Sequence, residues 1–260
     1  MTSKSVSPYV PSWSERQILS VLTEKGGQSM RNVDRKERKF LLDAASALQL
    51  ESQLGAVLKH DEHNRPGGYM VRSLYFDTPH ENDYVEKLFG LAVRRKVRLR
   101  TYSPDASFAL LELKQKQGDV QRKRSLFVIR DEARSLINGS YDFLATRPEP
   151  FAAEMHALMS INGYRPKAIV EYDRTAFTAQ ENSTRITLDR NIRATETYFD
   201  IFDENLCLTS VFDPFNVVLE VKYNGFLLSY IRSIVNRADK SELSVSKYCL
   251  ARSATMAYQF

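Results

Sequence analysis

From Arg35 onward, apolar and polar positions alternate along the chain with a period of two, the mark of strands half buried in a sheet. Segments of this kind fall near 35–42, 69–76, 93–102, 108–116, 120–129, 167–178, 184–190 and 216–223. Helical periodicity between them predicts helices over 43–60, 80–89, 149–162, 225–239 and 241–257. The first opens at Asp43, a good N-cap, and carries Leu48, Leu50, Leu54 and Leu58 on one side. Strands joined mostly by short hairpins, with helices between some of them, predict an antiparallel α+β fold. Eight strands are enough to close a barrel, with the helices packed outside. Residues 1–33 are rich in Ser, Gly and Pro and read as a flexible tail with room for one short helix, its one apolar patch lying at Ile18–Leu22, ahead of one domain over 34–260.

The strands have an unusual polar face. In VRRKVRLRTY (93–102), Val97 and Leu99 point one way while Lys96, Arg98 and Arg100 point the other. In FALLELKQK, Leu111 and Leu113 oppose Glu112, Lys114 and Lys116. RKERKF repeats the arrangement with Arg35, Glu37 and Lys39, and VVLEVKY with Glu220 and Lys222. Arg185, Thr187 and Asp189 alternate with Ile186 and Leu188, and Lys123 stands opposite Leu126 and Val128. With Arg174, the polar faces collect eleven cations against the four carboxylates Glu37, Glu112, Asp189 and Glu220. A face built for solubility mixes signs more evenly. If the apolar faces pack against helices, these charges turn inward, and so many like charges in a bore need an anion. A triphosphate or polyphosphate fits, because arginine forks and lysine point charges suit its dense oxygens. The carboxylates suit Mg²⁺ or Mn²⁺, which takes hard oxygen donors.

Composition narrows the picture without deciding it. The net charge of +5 and 43% hydrophobic content are those of an ordinary soluble protein. Cys207 and Cys249 are too few and too far apart for a disulfide framework, and are read as reduced thiols of a cytoplasmic protein. No apolar run approaches the roughly 18 residues of a membrane span, and no secretory leader pattern opens the chain. There is no G-x-x-x-x-G-K-[ST], G-x-S-x-G or H-E-x-x-H motif. Phe76, Phe108, Phe127 and Phe177 sit at packing positions rather than among exposed cations, which argues against nucleic acid. His60-Asp61-Glu62-His63 reads as the solvated end of a helix before Pro66-Gly67-Gly68.

Several ordered blocks resemble the catalytic domain of the VTC (vacuolar transporter chaperone) family, a branch of the triphosphate tunnel metalloenzymes. They are RKERKF at 35–40, RSLYFDTP at 72–79, RRKVRLRTY at 94–102, LELKQK at 111–116, IVEYDRTAF at 169–177, RITLDRN at 185–191, LEVKY at 219–223 and SVSKY at 244–248. The resemblance implies an eight-stranded tunnel, a free-standing bacterial-type form, and synthesis of inorganic polyphosphate from a nucleoside triphosphate such as ATP. It implies phosphate contacts from Lys39, Arg98, Arg100, Lys114, Lys123, Tyr172, Arg174 and Arg185, a metal ligand at Glu220, and the end of a Lys-x-Ser-Lys motif at Ser246 and Lys247. Arg35 stands where the superfamily's first glutamate is usual, and Ser244 where the closing motif begins with lysine.

Together these readings assign Arg98, Arg100, Lys114 and Lys123 to neutralising the transferring phosphoryl group. Lys39, Lys116, Tyr172, Arg174, Arg185, Lys222, Ser246 and Lys247 bind phosphate, and Glu220, assisted by Glu37 or Glu112, holds Mn²⁺ or Mg²⁺. Two alternatives stay open on the same tunnel: a tripolyphosphatase or nucleoside triphosphatase with water as acceptor, and a non-catalytic polyphosphate-binding module.

Overall fold

The computed structural model describes residues 35–118, 120–242 and 246–256. The tail at 1–33 and Ser244 lie outside the described residues, and only the backbone of Arg35 is described. All the long strands foreseen are present: β1 (Arg35–Asp43), β3 (Tyr69–Asp77), β4 (Val93–Thr101), β5 (Phe108–Gln117), β6 (Val120–Ile129), β7 (Arg165–Ala179), β8 (Thr184–Thr195) and β10 (Asn216–Asn224). Two-residue strands β2 (Lys59–His60), β9 (Thr209–Ser210) and β11 (Ser241–Glu242) join them. The helices are α1 (Ala44–Val57), α2 (Asn82–Leu88), α3 (Arg130–Ile137), α4 (Pro150–Ile161), α5 (Ser229–Arg237) and α6 (Lys247–Met256).

All strand pairings are antiparallel, in the order β11-β1-β10-β8-β7-β3-β4-β5-β6. The sheet is therefore not the closed barrel the strand count suggested. Its two ends, β6 and β11, do not pair with each other. Closure needs ladder bonds along the whole free edge of β1, and part of that edge is taken by β11 at Phe40 and Leu41. The sheet nonetheless curls round: Lys114 Nζ of β5 lies 3.4 Å from Glu37 Oε2 of β1, although the two strands are six places apart in the order. Gly68 helps start the curl. Its φ is +91°, and a Cβ there would meet the Arg174 carbonyl oxygen at 2.7 Å, so only glycine lets β3 begin against β7.

The outer face is largely apolar. Leu74, Val97, Leu99, Leu111, Leu113 and Val128 pack with Ala133 and Leu136 of α3 and Met155 and Met159 of α4. Leu188, Leu219 and Val221 pack with Leu50 and Leu54 of α1 and Ile231 and Val235 of α5. α1 is capped as its sequence foretold, the Asp43 carboxylate accepting the Ser46 N–H at 2.8 Å.

α6 departs from the expected arrangement of helices outside. Its Tyr248, Cys249 and Ala251 pack on Val71, Tyr75, Val170, Tyr172 and Ile192, which occupy the inner face. The inner face is basic along only part of its length; the rest is apolar and needs a cover that α6 supplies. The helix foreseen over 241–257 is accordingly shorter, with β11 in place of its first residues.

Candidate functional site

The bore is built from alternate positions of seven strands and one helix. The register puts Glu37 opposite Lys222 and Lys39 opposite Glu220 between β1 and β10. It continues Lys222 to Arg185 and Val218 to Asp189 on β8, then Asp189 to Arg174 on β7. On the other flank, Arg98 lies opposite Glu112, Lys96 opposite Lys114, and Lys114 opposite Lys123. Antiparallel partners share a face, so one side of the sheet carries every one of these charges.

The side chains form three joined groups. In the first, Lys39 Nζ is 2.9 Å from Glu37 and 3.8 Å from Glu220, and Lys222 pairs with both carboxylates. Burial pushes the Glu37 carboxyl up, and the neighbouring Glu220 adds to this. Lys39, Lys114 and Lys222 outweigh both and hold it at about 2. Glu220 is likewise held well below the usual carboxylate range, burial being overcome by Lys222, Lys39, Arg174 and Lys247. In the second, Asp189 accepts both arms of the Arg174 fork at 2.6 and 2.8 Å and the Lys247 ammonium at 2.6 Å. The Arg174 and Lys247 cations also lie over the Tyr172 ring, at 5.2 and 4.7 Å from its centre. In the third, Glu112, 1% exposed, is caged by Arg98 Nε at 2.6 Å, by Arg100 at 3.9 Å and by Lys123. Lys123 is drawn down to about 7 by burial, with Glu112 opposing and Arg98 and Arg100 adding to the fall.

The VTC domain profile matches residues 34–256. The chain belongs to the VTC domain family. Among solved structures it is similar to a Bacillus halodurans protein provisionally described as an adenylate cyclase, at 14% identity and a TM-score of 0.45 over 78% of this chain and 88% of that one. A Vibrio parahaemolyticus protein of the same description gives 14%, 0.43, 83% and 97%. The PH1012 protein of Pyrococcus horikoshii gives 12%, 0.36, 85% and 90%. These likenesses are too distant to bear on the reaction. No curated protein matches the chain significantly.

Within this VTC domain, most residues singled out from the sequence come together. Lys39, Arg98, Arg100, Lys114, Lys123, Tyr172, Arg174, Lys222, Lys247, Glu37, Glu112 and Glu220 belong to the three groups. Arg185 lies further along, its guanidinium 2.8 Å from Asp61 and donating to Tyr69 Oη at 3.1 Å. Lys116 lies beyond Lys114 toward the β5–β6 turn, opposite Arg94. Ser246 turns its hydroxyl to the start of α6, accepting the Cys249 N–H at 3.1 Å and donating to Cys249 Sγ at 3.0 Å. It acts there as an N-cap.

One reading needs correction. Asp61 is not part of a solvated helix end. The α1 helix stops at Val57, His60 pairs with Phe177 in β2, and Asp61 is 9% exposed against Arg185. The two glutamates named as assistants to Glu220 are placed differently. Glu37 and Glu220 are joined through Lys39 and Lys222, whereas Glu112 sits apart in its cage of Arg98, Arg100 and Lys123. Among the described residues no cluster of three or more His, Cys, Asp or Glu side chains could hold a metal alone. A Mg²⁺-type ion needs only one or two carboxylates when phosphate oxygens complete its shell. Glu37 and Glu220, which share the partners Lys39 and Lys222, fit that requirement.

One positioning group escaped the sequence reading. Asp77, fully buried at the end of β3, accepts the N–H groups of Thr78, Asp83 and Tyr84 at 2.7, 3.0 and 3.0 Å and the Tyr248 hydroxyl at 2.8 Å. Tyr248 stacks on Tyr75 with centroids 5.0 Å apart. One carboxylate thereby ties β3, α2 and α6 together, next to the residue that sends Lys247 to Asp189.

Among the described residues no helix is long and apolar enough to cross a membrane.

Proposed function

We propose that this triphosphate-tunnel protein is a polyphosphate polymerase, transferring the γ-phosphoryl group of a nucleoside triphosphate to the end of an inorganic polyphosphate chain. The observation that carries the reading is the excess of cations over carboxylates on one inward face, gathered from strands at opposite ends of the sheet order. Such a surface is costly unless an anion of dense, extended charge lies along it.

Phosphoryl transfer asks the protein chiefly to position its reactants and to neutralise charge. Arg98 and Arg100 extend guanidinium groups from β4 whose Nε atoms already point to Glu112 and to Ser73 Oγ. These contacts, with that of Arg98 Nη1 to Tyr75 Oη at 3.5 Å, fix their orientation and leave other N–H donors for phosphate oxygens. Lys114 and Lys123 face the same space from β5 and β6 and supply point charges. Arg174 and Lys247, each braced by Asp189 and by the Tyr172 ring, hold the phosphates further along. Glu220, with Glu37, would hold a divalent ion, which when bound screens phosphate charge. Their strongly lowered pKa values keep both carboxylates ionised for that purpose at neutral pH.

The deciding experiment is incubation of the purified protein with ATP and Mn²⁺ followed by a gel stained for polyphosphate. Long chains support the polymerase. Release of phosphate without chains would replace it with a hydrolase, and tight polyphosphate binding without turnover with a binding module.

A further inference from the structure

Lys96 differs from its neighbours on the inner face. It lies opposite Lys114, which lies opposite Lys123, so three lysines form one row across β4, β5 and β6. Like charges directly opposite one another across strands repel. Two of the three have a counter-charge in the protein: Lys114 meets Glu37 and Lys123 meets Glu112. Lys96 has no carboxylate within ion-pair distance among the described residues. The next pair toward the β5–β6 turn, Arg94 and Lys116, adds cations rather than removing them, and the Arg94 guanidinium is turned back to the Leu91 carbonyl at 3.2 Å. Lys96 is half-buried, and the titratable groups that act on its charge are Lys39 of β1, Lys114 of β5, Lys87 of α2 and Cys249 of α6. Burial draws its ammonium down to about 7, the thiol opposing and the three lysines adding to the fall.

A fold gains nothing from a half-buried ammonium set directly opposite another lysine with no carboxylate in reach among the described residues. Helix or strand propensity does not require lysine there either, since Val97 and Leu99 on the other face supply the packing of β4. The missing counter-charge therefore belongs to the ligand. We propose that Lys96, with Lys114 opposite, forms a further anion-binding position of the bore, which takes a phosphoryl group of a polyphosphate-like ligand beyond those held by the carboxylate-braced cations. The inference rests on the reading of the bore as a polyphosphate site. It carries a chemical consequence: entry of the anion restores the counter-charge, so a Lys96 that is neutral in the free protein takes one proton from solvent and becomes the ammonium that pairs with the phosphate oxygens.

Isothermal titration of the full chain with inorganic tripolyphosphate at pH 8, in two buffers of different ionisation enthalpy, reads affinity and proton uptake together. Lys96→Gln is expected to weaken binding about tenfold, as loss of one charge-assisted contact does, and to reduce the proton uptake. Lys96→Arg, permanently charged, is expected to keep affinity within about threefold while showing the same reduced uptake. Far-ultraviolet circular dichroism checks that both variants are folded. Wild-type binding with unchanged affinity and uptake in Lys96→Gln would overturn this inference alone. Failure of the wild-type protein to bind tripolyphosphate would overturn the underlying reading as well. A loss of affinity in Lys96→Arg equal to that in Lys96→Gln would show shape rather than charge at this position, and would also sink the proposal.

Discussion

Two sets of buried charges lie on opposite faces of the same sheet, and they are finished differently. On the outer face, Arg72 and Glu171 pair across β3 and β7 at 2.6 Å, 3% and 4% exposed. Arg72 also donates to the carbonyls of Ile201 and Asp203 at 3.0 and 2.6 Å, and Arg193 reaches the second oxygen of Glu171 at 2.5 Å. The charge of each partner is answered within the protein, and the loop after β8 is pinned to the sheet. On the inner face the balance is left open: Lys96 has no carboxylate, and Lys114 and Lys123 draw on carboxylates shared with other cations. A charge network that serves only the fold is completed from within; one that serves a ligand keeps a deficit for the ligand to fill.

The comparison can be broken most forcefully on its outer half. Glu171→Ala leaves the Arg72 guanidinium buried without a counter-charge, and chemical denaturation should report a loss of about 3–5 kcal/mol. The folded fraction should bind tripolyphosphate with wild-type affinity; a large loss of affinity would mean that the two faces are not separable. Slightly smaller in free energy, and on the inner half, Glu220→Gln should lower turnover about 10²–10³-fold, equivalent to about 2.7–4 kcal/mol of transition-state stabilisation. A variant that turns over normally would remove Glu220 from metal binding.

The two halves were not equally legible in the sequence. Strict alternation exposed β1, β4, β5 and β10, because one face of each is apolar and the other charged, as Leu111 and Leu113 against Glu112 and Lys114. β3 and β7 are different: Val71, Tyr75, Val170 and Tyr172 are buried on the inner side while Leu74, Phe76 and Ile169 are buried on the outer. A run apolar on both faces signals cover on both sides, and that signal could have placed α6 inside. α3 was missed because it follows β6 without a break, its start marked only by Glu132, which accepts the Ile129 N–H at 3.0 Å. The open edge between β6 and β1 could not be read at all, since closure depends on which strand reaches a free edge first and not on how many strands there are. The roles of Asp61 and Asp77 were not legible, because their partners Arg185 and Tyr248 are 124 and 171 positions away along the chain.

The inner deficit should also be visible as a pH dependence. The three lysines of the row lie low, Lys96 and Lys123 at about 7 and Lys114 at about 8. Each is charged below its pKa and neutral above it, and a bound anion favours the charged form. Affinity for tripolyphosphate is therefore fullest below about pH 7 and lost as pH rises through 7–9, by about tenfold or more over that window. Titrations at fixed ionic strength check it. An affinity that rises over the same window would mean that the lysines are already paired and protonated in the free protein.

The smallest effect has the opposite sign to most substitutions and separates the two faces most sharply. In an unfolded chain lysine titrates near about 10.4, whereas Lys96 in the folded protein titrates at about 7. The unfolded state therefore holds the proton more tightly, and the native state carries a penalty that is complete below about pH 7 and fades as pH rises toward 10. Lys96→Met removes the penalty while keeping side-chain length and an apolar stem, so thermal unfolding at pH 6.5 without ligand should shift up by about 2–4 °C, equivalent to about 1 kcal/mol for a chain of this size. The gain should shrink at pH 9 and reverse when tripolyphosphate is present, because only the lysine can recover its counter-charge from the anion. A stabilising substitution that costs affinity marks a residue kept for binding, and a fall in melting temperature without ligand would instead make Lys96 a contributor to the fold, like Arg72 on the other side of the sheet.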